Sequence, residues 1–517
     1  MSTVRISING VDHEAEAGST ILQVARGKGI NIPTFCWHER LSIVASCRMC
    51  LVEVAGAPKL LAACQTLAMD GMQVLTESDR VKDWRRRNLE FILLHHPVDC
   101  PICDAAGDCK LQDLYYEYDK EKSRLWSFKE KLHKSKRKVF GPHIVFDGER
   151  CILCTLCIRF CEEIWGEHLL DSRLRGNERE IIVAAGETLD FPYSLMTAEL
   201  CPVGALTNRD FRFKKRCWFL SGMPGICPGC ATGCAAVMDH DEGTIYRMRP
   251  RVDKAVNGCW LCDDGVLAGE LHNRGRLTAP LVRGGAAAME AAPQEALEKA
   301  AGLLRPATPA HSAIVLSAEH TCEENLALVN FAGAIGLGGR TYIEGRPAGE
   351  GDRLLRHEDK NPNRAGALKI AGSVSLPGRS ELVRDLQAGK IKTLICLGGE
   401  GPEEGDVPGD AAVITLAARR GNMTDAATVA IPAPSFAETR GRYISSRGMV
   451  RAFDVSIKSW GSLRPPPQVW ETLGKIAQLL GAPTDELSEK AIRDNTQALC
   501  GRSSAGLPAS DMQAAGL

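Results

Sequence analysis

Fifteen of the chain's 21 cysteines and one histidine sort into four quartets. They are Cys36-x10-Cys47-x2-Cys50-x13-Cys64; His96-x3-Cys100-x2-Cys103-x5-Cys109; Cys151-x2-Cys154-x2-Cys157 with the distant pair Cys201-Pro202; and Cys227-x2-Cys230-x3-Cys234-x27-Cys262. Each contains a C-x2-C pair, which lets two thiolates grip one metal or one cluster edge. All four precede residue 270. A chain that gives its first half to redox clusters is a conductor of single electrons.

Two other uses of cysteine are weighed against this. Disulfides belong to oxidising compartments, but the start MSTVRISI lacks the charged and apolar regions of a secretory signal. No apolar run reaches the ~18–20 residues that cross a bilayer. The expected compartment is therefore cytosolic and reducing. Zinc also takes four Cys or three Cys and one His, commonly with two C-x2-C hooks across a loop. The third quartet instead runs C-x2-C-x2-C with a remote Cys-Pro, the grip of a cubane cluster.

The elements that must position these residues can be read locally. In residues 1–78, VRISING and HEAEA alternate as a strand pair. Ser19-Thr20 then cap a helix over ILQVARGKG, closed by Gly29. A loop with three cysteines and the strand LVEVAG follow, the order expected of a two-iron ferredoxin domain. In residues 79–118 the helical stretch DWRRRNLEFILLHH delivers His96 to a segment with only three thiolates. His95 competes for the fourth position. A neutral imidazole in place of a thiolate raises a cluster's potential. Residues 119–140 form a strongly basic linker, read as a solvated run or as a contact for an acidic neighbouring subunit.

Residues 141–214 read as half of a two-cluster ferredoxin. The mirror-image ligand positions hold Phe191, Ser194 and Thr197, so the second cluster is lost and Cys161 remains as a buried thiol. Beyond residue 270, strands AIVLSA, TLICLGG, AAVITLAA and ATVAIP alternate with helical stretches, which predicts a largely parallel α/β sheet. GLGG and LGGEG are weak candidates for a nucleotide cradle, because neither completes G-x-G-x-x-G. Cys217, Cys259, Cys396 and Cys500 are expected to be buried or incidental thiols. Net charge is −1 and aromatics make up 5%, so nothing favours nucleic acid as a partner.

The ordered quartets, with SCRMCLVEV, HHPVDCPICDAAGDCKLQD, RCILCTLCIRFCEE and CPVGALT, resemble the large peripheral iron–sulfur subunits of bacterial NADH:quinone oxidoreductases, respiratory complex I. EDKNPNRAG at 358–366 and FAETRGRYISSRGMV at 436–450 extend the likeness into the second half. Ser46 departs from it, standing where a smaller residue, often glycine, is expected. The resemblance implies a [2Fe-2S] cluster on Cys36, Cys47, Cys50 and Cys64. It implies [4Fe-4S] clusters on His96, Cys100, Cys103 and Cys109; on Cys151, Cys154, Cys157 and Cys201; and on Cys227, Cys230, Cys234 and Cys262, the last found only in some members and off the main electron path. It implies electron transfer with no acid, base or nucleophile. It also implies flavin/NADH-binding and quinone-side iron–sulfur subunits as partners, the membrane arm only indirectly, and a peripheral place on the cytoplasmic side of the inner membrane without a transmembrane segment.

The expected architecture is multidomain α+β and α/β. It comprises a β-grasp [2Fe-2S] domain over 1–78, a His/Cys3 segment over 79–118, the basic linker over 119–140 and a ferredoxin-like [4Fe-4S] domain over 141–214. A molybdopterin-oxidoreductase-type cluster domain follows over 215–270, then a shortened molybdopterin-oxidoreductase-like α/β domain over 271–495 and a flexible tail over 496–517. The second half is short for a working molybdenum domain, so no molybdopterin is expected, and Cys322 is a poor molybdenum ligand. The rivals are the large subunit of an NAD-linked formate dehydrogenase, an iron-only hydrogenase and a zinc scaffold.

Overall fold

The computed structural model describes residues 2–118, 124, 130–285, 287–459 and 464–501. They fall into two compact units, divided between Phe219 and Leu220.

The first unit opens with β1 (Thr3–Ile8) and β2 (Val11–Glu16), paired antiparallel across a turn where Asn9 and Gly10 both have positive φ. α1 (Ile21–Gly27) begins at Thr20, which shares a reciprocal capping box with Gln23. β3 (Leu51–Val54), β4 (Leu61–Ala62) and β5 (Met72–Leu75) complete a sheet of order β2-β1-β5-β3-β4. Ile6, Ile8, Ile21, Leu22, Val52 and Val74 are buried together in its core, which anchors the intervening cysteine loop. α2 (Asp79–Leu93) stops short of His95 and His96. The expected helix therefore ends early, before the residue that Pro97 would force out of helical geometry. α3 (Lys110–Tyr118) starts directly after Cys109.

β6 (Lys138–Val139) and β7 (Ile144–Phe146) precede the third quartet; α4 (Leu156–Arg159) lies within it and runs into a π-helical turn, Phe160–Trp165. The hairpin β8 (Leu170–Arg173) and β9 (Glu180–Val183), then α5 (Ser194–Glu199), lead to β10 (Leu206–Asn208), which pairs with β7. Most of residues 119–129 lies outside the described part of the linker. Its far end is docked at home: Lys136 pairs with Glu149 at 2.7 Å and Lys138 with Glu180 at 2.8 Å. The stretch is otherwise largely exposed, at Ser135, Lys136, Arg137 and Val139, as a solvated run would be.

The second unit begins with the antiparallel sheet β11 (Ser221–Ile226), β12 (Ala235–Asp241) and β13 (Thr244–Pro250), followed by α6 (Asp263–Val266) and α7 (Glu270–Asn273). β14 (Leu281–Arg283), β15 (Ala288–Glu290), α8 (Pro293–Leu304), β16 (Ser312–Ser317), α9 (Cys322–Ala334) and β17 (Arg340–Glu344) come next. α10 (Arg364–Ile370), α11 (Arg379–Gln387), β18 (Thr393–Leu397), β19 (Ala412–Ala417), α12 (Asn422–Ala426) and β20 (Val429–Pro432) follow. Their sheet has order β15-β14-β20-β19-β18-β16-β17, parallel from β20 to β17 with an antiparallel β14–β15 edge. Its strands are nearly all buried, as helices on both faces require. The hairpin β21 (Gly441–Ile444) and β22 (Val450–Phe453), then α13 (Val469–Leu480) and α14 (Glu489–Cys500), end the described chain. Residues 496–500 are thus the last turn of α14, with Thr496 and Cys500 buried, and not part of a flexible tail. Residues 502–517 lie outside the described residues. No helix among the described residues is long and apolar enough to cross a membrane.

Candidate metal-cluster sites

The first quartet sits on a loop locked to its sheet. Cys36, Cys50 and Cys64 are buried. The Phe35 amide donates to Cys47 Sγ and the Cys47 amide to Cys36 Sγ, both at 3.5 Å. A hydrogen bond from Cys47, more than burial opposes, lowers the Cys36 thiol, and the Ser46 hydroxyl and amide add to it. Ser46, a departure from the expected pattern, therefore faces the Cys36 sulfur and favours its charge. Ala45 and Arg48 hold positive φ on either side of Cys47, turning backbone amides toward sulfur.

The second quartet is built from a helix end and two turns. Among its histidines, His95 Nδ1 already accepts from the Leu132 amide at 3.3 Å. His96 Nδ1 is buried without a partner. Burial holds the His96 imidazole neutral, down to about 4. A neutral ring is the form that can ligate. Val98, a β-branched residue, is held at φ 50° between His96 and Cys100. Such strain persists only where surrounding structure enforces it. Asp99, beside Cys100, takes a two-pronged bond from buried Arg150 at 3.1 and 2.7 Å. Cys217, expected to be a buried or incidental thiol, is half-buried here, its Sγ 3.3 Å from the Ala106 carbonyl. Arg216 ties down the carbonyls of Pro101 and Cys103.

Cys151, Cys154, Cys157 and Cys201 line one small apolar cavity, walled by Phe146, Ile181 and Leu206. Burial raises the Cys151 thiol to about 12 and the Cys157 thiol well above its ordinary value. A lone thiolate is disfavoured in such a place, and a positive metal centre must offset the charge. Leu153 and Thr155 interleave the cysteines at φ 56° and 59°. Where a mirror-image cluster would lie, Trp165 packs 5.4 Å from Phe191 and 5.8 Å from Tyr193, with Ser194, Thr197 and Cys161 fully buried.

The fourth quartet lines a small apolar cavity in the second unit. Cys227 follows β11, Cys234 precedes β12 and Cys262 caps α6, its Sγ accepting from the Gly265 amide at 3.3 Å. The Gly229 amide donates to Cys227 Sγ at 3.4 Å. Arg356 and Lys360 form the opposite wall, and the Asp359 carbonyl accepts from the Ala231 amide at 2.9 Å. The Ser446 amide binds the Ala231 carbonyl at 2.8 Å. The two distal motifs noticed in the sequence thus pack onto this loop. The LGGEG expectation fares less well. Gly398 and Gly399 border a crevice at the carboxyl ends of β16, β18 and β19, but Glu319, Glu324 and Glu400 share its wall with Arg419 and Arg420. That mixture does not make a phosphate cradle.

Among the described residues, no three His, Cys, Asp or Glu side chains converge as ligands of one ion. Four thiols around a cavity, with amides aimed at sulfur, suit a larger group gripped at its corners. The donor sets fit iron–sulfur clusters.

Three family descriptions match in the order of the first three quartets. Residues 1–79 match a 2Fe-2S iron–sulfur cluster binding domain. Residues 85–124 match the NADH-ubiquinone oxidoreductase-G iron–sulfur binding region, and residues 141–207 the ferredoxin-like domain of NADH-quinone oxidoreductase subunit 3. Among curated proteins, a G-type subunit of the NADH-quinone oxidoreductase of Rhizobium meliloti (strain 1021) is 38% identical over 281 residues, covering 54% of this chain and 33% of that one. The G-type subunit of the Rickettsia felis NADH-quinone oxidoreductase is 37% identical over 306 residues, covering 59% and 45%. The NADH-ubiquinone oxidoreductase 75 kDa subunit of Reclinomonas americana is 38% identical over 280 residues, covering 54% and 40%. The chain thus spans less than half the length of these relatives. A solved NAD+-reducing [NiFe]-hydrogenase chain is 30% identical, with 42% of this chain and 92% of that one covered and a TM-score of 0.38.

Proposed function

We propose, with kinship to the G-type subunits of NADH-quinone oxidoreductase as the premise, that this chain is an iron–sulfur electron-transfer subunit of such a complex. It would carry electrons from a flavin-bearing NADH module toward quinone. Cys36, Cys47, Cys50 and Cys64 would hold a [2Fe-2S] cluster. His96, Cys100, Cys103 and Cys109, then Cys151, Cys154, Cys157 and Cys201, then Cys227, Cys230, Cys234 and Cys262 would each hold a [4Fe-4S] cluster. When bound, the clusters supply one-electron redox chemistry. The side chains fix the sites, exclude water and set the charge around sulfur.

One observation carries the reading. The third quartet's segment touches both of the others in its unit. Arg159, two residues past Cys157, binds the Cys36 carbonyl at 2.7 Å. On the other side the Lys110 amide, next to Cys109, donates to the Pro202 carbonyl at 3.1 Å. Spatial order is therefore first, third, second, a continuous series of sites that chain order conceals. The unit's partners would be flavin/NADH-binding and quinone-side iron–sulfur subunits, at the cytoplasmic face of the inner membrane.

The second unit's sheet is read as a shortened molybdopterin-oxidoreductase fold kept as scaffold, since packing and chemistry are separable. Cys322 supports this, being fully buried with its Sγ 3.5 Å from Asn363 Oδ1 and beside Cys500. The named relatives do not favour the formate dehydrogenase alternative. The deciding experiment is iron, sulfide and zinc analysis with EPR on the anaerobically purified full chain. Two-iron and four-iron signals are expected; colourless protein with about four zincs per chain would end the proposal.

A further inference from the structure

Arg159 closes α4 and is 6% exposed. Its Nη2 donates to the carbonyl of Cys36 at 2.7 Å and to that of Cys154 at 3.2 Å. Nη1 donates to the Ser42 carbonyl, and Nε reaches Thr155 Oγ1 at 3.4 Å. One planar guanidinium therefore ties a ligand of the first quartet to a ligand of the third. All four acceptors are neutral oxygens, and among the described residues Arg159 forms no ion pair.

A buried charge ordinarily has a partner. Among the described residues, the opposite charge near Arg159 comes from the cysteine quartets on either side and from the Glu163 carboxylate. The Glu163 carboxylate forms no direct bond to Arg159; it accepts from the Ser42 amide at 2.7 Å and the Ser42 hydroxyl at 2.5 Å, bracing the loop that Arg159 grips. Arginine suits the place because its rigid fork serves several carbonyls at once and its charge is permanent.

We infer that Arg159 is a positioning residue of the relay, fixing the spacing of the first and third clusters through Cys36 and Cys154 and raising the reduction potential of both with one shared positive charge. The inference rests on the cluster assignment proposed above. The guanidinium keeps its protons throughout; only the clusters change charge, by one electron each.

The test uses the full chain, purified anaerobically with clusters in place, and EPR at a series of poised potentials. Arg159→Met removes charge and donors; Arg159→Lys keeps the charge and loses the fork. In Arg159→Met, the equilibrium constant for one-electron reduction of both the first and third clusters should fall at least tenfold, which is 59 mV each. The fourth cluster should not move. In Arg159→Lys, both constants should stay within about threefold of wild type, while the magnetic interaction between the two reduced clusters changes. Unshifted midpoints in a fully loaded Met variant, or an equal shift of the fourth cluster, overturn the inference. If the Met variant loses its clusters, the Lys variant decides, and an unchanged magnetic interaction there refutes the positioning role. Absence of two-iron and four-iron signals from the wild-type chain would instead overturn the cluster assignment beneath it.

Discussion

A single methyl group on the third quartet's loop should damage the second quartet's site. Gly204 follows Cys201 by three residues, yet a Cβ added there would lie 2.3 Å from Cys103 Sγ and 3.2 Å from Ala105 Cβ. Comfortable contact begins near 3.5–4.0 Å, so the sulfur must retreat by more than about 1 Å. Metal–ligand distances tolerate only about ±0.2 Å. Gly204 is not in the left-handed region, so the penalty of Gly204→Ala is purely steric. Overpacking of this kind costs about 1–3 kcal/mol. Charged against cluster retention, that weakens occupancy by a factor of roughly 5 to 150. The assay is iron and sulfide content with EPR on anaerobic protein. The expected result is loss of about four of about fourteen irons, with the second cluster's signal gone and the third's retained. Full iron with an unchanged second-cluster spectrum would refute the packing argument. Selective loss of the third cluster would mean that the methyl acts through Cys201.

His96→Cys should keep a cluster but lower its midpoint potential, because a thiolate adds negative charge; an unchanged midpoint, or the same effect from His95→Cys, would move the assignment. Burial raises Glu344 from 4.5 to about 7. Folding therefore favours its protonated form, and the stability it contributes below pH 4.5 is lost as pH rises through about 7. Glu344→Gln should remove that dependence and stabilise the second unit by up to about 3 kcal/mol above pH 7, read from denaturant midpoints at pH 5 and pH 8; parallel curves for variant and wild type would contradict it. Cys322→Ser should leave NADH:quinone activity of the assembled enzyme intact, and an acid extract should contain no stoichiometric pterin; pterin, or lost turnover with clusters retained, would reject the scaffold reading.

The proposed quartets were legible as motifs because each is mostly local: a C-x2-C loop declares itself within a dozen residues. So were the Thr20 cap, the parallel sheet of the second unit and the filled-in site at Phe191, Ser194 and Thr197. What the sequence hides is tertiary. CIRFC reads as ligand spacing and conceals that its arginine reaches back to Cys36. Nothing local marks Gly204 as a neighbour of Cys103, or Cys217 as part of the second site. The positive φ values at Ala45, Arg48, Val98, Leu153 and Thr155 run against residue preference, and only the enclosing fold enforces them. The early end of α2 and the helical residues 496–500 escape a sequence reading because breakers and tail composition are weaker signals than the packing that decides element ends.

The interleaving of the second and third quartets bears on how the protein is made. All four proposed ligands of the second site lie between His96 and Cys109, but its walls arrive later: Arg150 to hold Asp99, Pro202 and Gly204 against Cys103 and Lys110, and Arg216 to pin the turn. At ribosomal speeds of about 5–20 residues per second, Arg216 emerges roughly 5–20 s after Cys109. Through that interval the ligands stand in an open loop, exposed to stray metal ions and oxidants. A cell making this chain gains by delivering iron and sulfide after synthesis has passed Arg216, and the second site should be the one most often found mis-metallated when delivery runs ahead of translation.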